Sequence, residues 1–175
     1  MDYSDIYLKD ELTLYKNNMC VFNYVDNFKS TRPDAVFITM NSGTKLPKGQ
    51  GRGYSYKNPD TTIKWSLNVA EMGEVIGFLL KPTEELKLLH DGKKSNNAQD
   101  GVKNLYLKFN KPVDGRSASI QLTLTQKQGK ERLNINLTKG DTIVLRLFLE
   151  EAIKRCLYQR DKMPRLLHSM KKQNY

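Results

Sequence analysis

Histidine, cysteine and tryptophan are nearly missing from this chain, with two His, two Cys and one Trp in 175 residues. His90 and His168 have no second His, Cys or Glu at ligand spacing, which leaves little from which to build a metal site. Cys20 and Cys156 form neither a CxxC motif nor a disulfide framework, and fit inert thiols in a reducing compartment. Neither GxSxG nor HExxH occurs. We therefore expect no enzyme, no cofactor and no metal. No apolar run approaches the roughly eighteen residues of a membrane span. The opening MDYSDIYLKDEL lacks both the apolar core of a signal peptide and the arginine-rich, acid-poor character of a transit peptide. These absences predict a soluble protein without a membrane partner, cytoplasmic or nucleoid-associated.

Acids are scarce too, and unevenly so. Lys and Arg number 29 against 19 Asp and Glu, a formal charge of +10. Residues 1–30 carry five acids (Asp2, Asp5, Asp10, Glu11, Asp26) against three lysines, so the positive excess lies beyond them. Such a balance points to a polyanionic partner, nucleic acid first. The most basic stretch is TKLPKGQGRGYSYKN, Thr44 to Asn58, with Lys45, Lys48, Arg52 and Lys57 and no acid. A P-loop would need Gly-Lys-Ser/Thr running into a helix; here the order is Lys48-Gly49, and YSYKNPD follows, which does not begin one. A mononucleotide cradle is excluded. Cations for a phosphate chain beside Tyr54 and Tyr56, whose rings can stack on unpaired bases, fit a single strand better.

Two blocks of the chain resemble each other. IKWSLNVAEMGEVIGFLL (Ile63 to Leu80) and ERLNINLTKGDTIVLRLFL (Glu131 to Leu149) each read as an alternating strand entering an apolar-periodic helix. Setting Leu67 on Ile135 brings Val75-Ile76 onto Ile143-Val144. Thr138 is the expected N-cap of the second helix, with Asp141 at its third position. Further strands precede each helix: Ala35 to Asn41 in the first block, Val102 to Asn110 and Ser117 to Lys127 in the second. KPVDGR between the last two marks a hairpin, and Asp91 to Gly101 a polar connector. The fold class expected is α+β: antiparallel strands followed by a helix, twice.

Alternation sorts the strand residues into faces. Leu105, Leu107 and Phe109 oppose Tyr106 and Lys108; Ile120, Leu122 and Leu124 oppose Gln121, Thr123 and Thr125; Leu133, Ile135 and Leu137 oppose Arg132 and Asn134. The apolar faces should lie under the helices, leaving an outer face of Lys, Arg, Tyr, Gln, Thr and Asn. Trp65, alternating with Ile63 and Leu67, belongs with the core. The helix from Ile143 to Leu157 is apolar on almost every side of its first two turns, more than one sheet can cover, which predicts self-association through Ile143, Val144, Leu147 and Phe148.

From Thr62 to about Tyr158 the chain resembles the Whirly single-stranded DNA-binding proteins, related to PC4-like and mitochondrial guide-RNA-binding proteins. KWSLNVAEMGEVIGFL, LLHDGKKSNNAQDGVKNLYLKF, SIQLTLTQ and LNINLTKGDTIVLRLFLEEAI carry the resemblance, in that order. It implies two four-stranded antiparallel sheets, each followed by a helix, in a homotetramer with its helices at the centre. It also implies single-stranded DNA along the sheet edges between subunits, bound with little sequence preference. The plant members' Lys-Gly-Lys-Gly motif has only KGQGRG (Lys48 to Gly53) as a counterpart here. The expected layout is an N-terminal arm (1–30), a nucleic-acid-binding domain (31–160) and a basic tail (161–175). Expected phosphate contacts are Lys45, Lys48, Arg52, Lys57, Lys64, Lys108 and Arg132, and expected stacking residues are Tyr54, Tyr56 and Tyr106. The function expected is homo-oligomeric single-stranded DNA binding in replication, recombination, repair or transcription. A single-stranded RNA-binding or annealing factor of the same fold, or a structural subunit of a larger complex, is the alternative.

Overall fold

The computed structural model describes residues 11–25, 35–45, 52–53, 61–91, 101–113, 115–126 and 131–173, with side chains except those of 44, 45, 52 and 158–173. Strands β1 (Glu11–Tyr15), β2 (Met19–Val25), β3 (Ala35–Asn41) and β6 (Thr62–Leu67) make one antiparallel sheet in the order β1-β2-β3-β6. Between β3 and β6, β4 (Thr44–Lys45) pairs with β5 (Arg52–Gly53) as a small ribbon. Helix α1 (Val69–Leu80) follows. Strands β7 (Glu85–His90), β8 (Lys103–Asn110), β9 (Ser119–Gln126) and β10 (Glu131–Leu137) form the second sheet, ordered β10-β9-β8-β7, and α2 (Lys139–Gln173) follows. The α+β reading and the four-strands-then-helix repeat hold.

Each strand hides one face. Phe22, Ile38, Trp65 and Leu67 from the first sheet join Leu105, Leu107, Leu122, Leu124, Ile135 and Leu137 from the second in one buried cluster. Met72, Val75 and Phe78 of α1 and Leu145, Leu149, Ala152 and Cys156 of α2 complete it. The two blocks therefore share one core, with β6 lying against β9, β3 against β10, and the two helices against each other. Trp65 is 2% exposed, a core residue as its alternation required. The hairpin between β8 and β9 turns at Gly115, whose φ of 75° lies in the left-handed region that glycine tolerates best. There the Arg116 N–H donates to the Val113 carbonyl at 2.7 Å.

Residues 161–173, in the basic tail, continue α2. Within the basic stretch, Thr44–Lys45 pair with Arg52–Gly53. Two sequence expectations need correction. Residues 11–25 are not part of an arm: alternating Leu12/Leu14 and Cys20/Phe22/Tyr24 make them two strands of the first sheet. Finally, Asn68 caps α1 and Thr138 caps α2, so Leu67 corresponds to Leu137 and not to Ile135. A slip of two residues preserves strand alternation, so the apolar pattern alone could not detect it.

Candidate nucleic-acid interface

The register of the second sheet arranges its outward residues as a grid. One row across the four strands is Leu89, Asn104, Thr125 and Arg132; the next is Lys87, Tyr106, Thr123 and Asn134; the third is Glu85, Lys108, Gln121 and Asn136. Lys108 and Arg132 are exposed and Tyr106 is half-buried, so the structure gathers these three expected contacts on one face. Lys87, which the sequence reading passed over, places its Nζ 5.3 Å from the centroid of the Tyr106 ring. An ammonium over an aromatic face is attracted by the ring quadrupole and leaves the rest of the face for other contacts. The signal was available in ELKLLH, whose alternation puts Lys87 opposite Leu86 and Leu88. On central β9, Thr123 and Thr125 are buried, so the flanking strands carry the projecting cations and the ring.

Lys64 is exposed on the outward face of the first sheet, between Thr62 and Ser66, apart from the Lys108–Arg132 group. That face also carries Phe37, 39% exposed, and Tyr15 at the end of β1, 66% exposed. Both aromatics escaped the sequence reading, although Phe37 alternates with buried Val36 and Ile38. Lys45 and Arg52 pair across the ribbon through their backbones. Lys48, Lys57, Tyr54 and Tyr56 lie outside the described residues. On the first turns of α2, Ile143, Val144 and Leu147 are exposed while Phe148 packs against the core, so three of the four expected interface residues face outward.

Beneath the sheets, each helix start is tied to the opposite block. At α1, the Glu71 N–H donates to Asn68 Oδ1 at 3.0 Å and the Asn68 N–H to Glu71 Oε2 at 2.9 Å, a reciprocal capping box. Glu71 Oε1 lies 2.6 Å from Nε2 of His90, whose ring stacks on Trp65 at 3.9 Å. At α2, the Thr138 N–H and hydroxyl both donate to Asp141 Oδ2 at 2.8 Å, and Lys16 Nζ lies 2.9 Å from the same oxygen. Burial pushes the Asp141 carboxyl up, but hydrogen bonds from Lys16 and Thr138 and the Lys16 charge outweigh it and hold the group below the ordinary aspartate value. Two residues on, Asn18 Nδ2 donates to the Asn134 carbonyl at 2.7 Å. Burial also drives the Cys20 thiol far above its usual value, which keeps it neutral and unreactive.

Among the described residues, no group of three or more His, Cys, Asp or Glu could hold a metal ion. No described helix is long and apolar enough to cross a membrane. An apolar cavity of about 350 Å³, lined by Leu79, Pro82, Phe109, Ile120, Leu137 and Thr142, opens where the end of α1 meets the start of α2. Phe109, Ile120 and Leu137 reach it from the inward faces of β8, β9 and β10, with Ser119 at the start of β9 at its rim.

The fold has solved counterparts. The plant transcriptional regulator PBF-2 is 18% identical, with a TM-score of 0.57 over 89% of this chain and 86% of its own. WHY3 from Arabidopsis thaliana is 16% identical, with a TM-score of 0.59 over 94% and 98%. A guide-RNA-binding protein, solved in a complex bound to a guide RNA, is 10% identical, with a TM-score of 0.54 over 82% and 88%. At such identities the likeness is one of fold. No curated protein matches the chain. The family model described as Whirly transcription factor matches residues 19–148, most of the sheets and both helix starts, and by that match the chain belongs to the Whirly family.

Proposed function

We propose that this protein binds single-stranded DNA, with little sequence preference, as a homo-oligomer and without catalysing a reaction. The observation that carries the reading is the outward face of the second sheet, where Lys87 sits over Tyr106 and Lys108 and Arg132 project from the flanking strands. Those cations suit phosphates, and the ring suits an unstacked base. The outward face is a broad four-stranded sheet, wider than the helix or two-stranded ribbon that a major groove admits. A protein of this kind protects or organises strands during replication, recombination, repair or transcription.

The oligomer rests on the helices. Ile143, Val144 and Leu147, each between 45% and 52% exposed, stand on α2, and Leu80 at the end of α1 is 58% exposed. Exposed large apolar side chains grouped within two turns of one helix are normally covered by another protein. A second copy is the simplest cover, and a tetramer is the assembly expected.

The test is fluorescence anisotropy with labelled oligo-dT, oligo-U and duplex at several salt concentrations. Single strands should bind more tightly than duplex, with affinity falling steeply as salt rises. Equal, weak binding to all three would overturn the reading and favour a structural subunit. RNA is the second candidate, supported by the fold shared with the protein solved on its guide RNA; oligo-U outcompeting oligo-dT would select it. Light scattering of the wild type and of Leu147→Asp tests the assembly. A monomeric wild type at micromolar concentration would remove the oligomer from the proposal.

A further inference from the structure

One atom on the outward grid is poorly served by the fold. Asn104, on β8, is 9% exposed, and its Nδ2 donates to Thr125 Oγ1 at 3.3 Å. Its Oδ1 is buried and, among the described residues, has no hydrogen-bond partner. A buried acceptor without a donor forfeits its hydration and gains nothing in return, so such atoms are rare in folded proteins and call for an explanation. A leucine or threonine would fill the same central-strand position without that cost.

The location supplies the explanation. Asn104 is two residues from Tyr106 on the same strand and the same face, a spacing of about 6.6 Å. A base stacked on the Tyr106 ring would therefore extend its hydrogen-bonding edge toward the Asn104 amide. In the row, Asn104 stands between Leu89, 56% exposed, and Thr125, with Arg132 beyond. Leu89 is the exposed side chain paired across from Asn104, and Lys87 and Arg132 lie on either side of the position, where a phosphate chain would pass.

We propose that Asn104 Oδ1 reads the edge of one unpaired base held on Tyr106, accepting a hydrogen bond from an imino or exocyclic N–H. This rests on the single-strand reading above and deepens it: the grip is sequence-tolerant along the strand, yet one position requires a base with a free edge donor. Every unmodified base has such a donor on its Watson–Crick edge, and pairing both engages that edge and holds the base in the stack away from the Tyr106 ring, so Asn104 favours unpaired strands rather than a particular sequence.

The experiment compares oligo-dT with the same oligomer made of N3-methylthymidine, which keeps its ring for stacking but has lost the N3–H. Both are titrated against wild type and Asn104→Leu. Wild type should bind oligo-dT about tenfold more tightly than the methylated strand, within the range of a good base-edge contact. In Asn104→Leu the ratio should collapse toward one while thermal stability holds or rises, because an orphaned acceptor has gone. A ratio that is the same in both proteins overturns the proposal, since a methyl clash alone would affect them equally. Should Asn104→Leu fail to fold, Asn104→Val takes its place in the same comparison. A wild type that binds neither strand would instead defeat the single-strand reading itself.

Discussion

The two halves of this molecule have the same plan and opposite outward surfaces. In the first sheet, the outward row of Met19, Asn41 and Thr62 is buried, with Asn41 Nδ2 bonded to Thr61 and Thr62 and its Oδ1 to the Gly43 N–H. One end of that face is closed in, leaving Phe37 and Lys64 toward the other. In the second sheet, the flanking strands present Lys87, Tyr106, Lys108 and Arg132 around a low floor of threonines. The same repeat thus supplies one sheet whose outer face is partly closed and one whose outer face is basic and aromatic. The shared core permits this, because inward positions must match while outward ones are free to diverge.

The largest effects should therefore be alike in the two halves. Leu67 and Leu137 are equivalent and both fully buried. Each leucine-to-alanine change should cost about 2–5 kcal/mol, the range for a truncated core leucine. Because the core is common, Leu137→Ala should lower the urea midpoint reported by Trp65 fluorescence by as much as the one reported by far-ultraviolet circular dichroism. A Trp65 transition left unmoved would mean that the sheets unfold independently.

How much of this could be read from the sequence depends on the range of the interaction. Strand faces follow from period-two alternation, so inward Trp65, Leu105 and Leu122 and outward Tyr106, Lys108 and Arg132 were all legible, as was the Thr138–Asp141 cap. The register of the repeat was not, because a two-residue slip moves no side chain to the other face; only the caps fix it. The acidic bias of residues 1–30 masked β1 and β2, although their alternation was present. Contacts such as Glu71 with His90, Lys16 with Asp141 and Lys87 with Tyr106 join separate elements and exist only once the sheets have formed.

Binding should divide the halves where stability does not. Tyr106→Ala should weaken oligo-dT binding by roughly 1–3 kcal/mol, the usual value of one stacked base. Phe37→Ala, on the first sheet, should change it little. Equal losses would show that the strand crosses both faces. Lys108→Ala and Arg132→Ala should each reduce the slope of affinity against salt by about one counterion or less. Lys64→Ala on the other sheet provides the control.

The helix caps give the finest comparison, because each repeat anchors its helix with a polar side chain from the other: the His90 imidazole for Glu71, the Lys16 ammonium for Asp141. Asn68→Ala and Thr138→Ala should each cost about 1 kcal/mol, the usual loss for a capping side chain. The α2 cap adds a dependence on pH whose sign is fixed by the lowered Asp141 value. A carboxyl held below its unfolded value of about 3.9 stabilises the fold fully above that pH, and the contribution is lost as pH falls through the folded value. Asp141→Asn removes it. Urea midpoints of wild type and Asp141→Asn should therefore differ most near pH 6 and converge toward pH 3. Lys16→Met should weaken the same convergence, since Lys16 supplies both a hydrogen bond and a charge to that carboxylate. A gap between wild type and Asp141→Asn that stays constant from pH 6 to pH 3 would mean that Asp141 acts only as a neutral cap, and that the tie from the first block to α2 contributes no electrostatic stability.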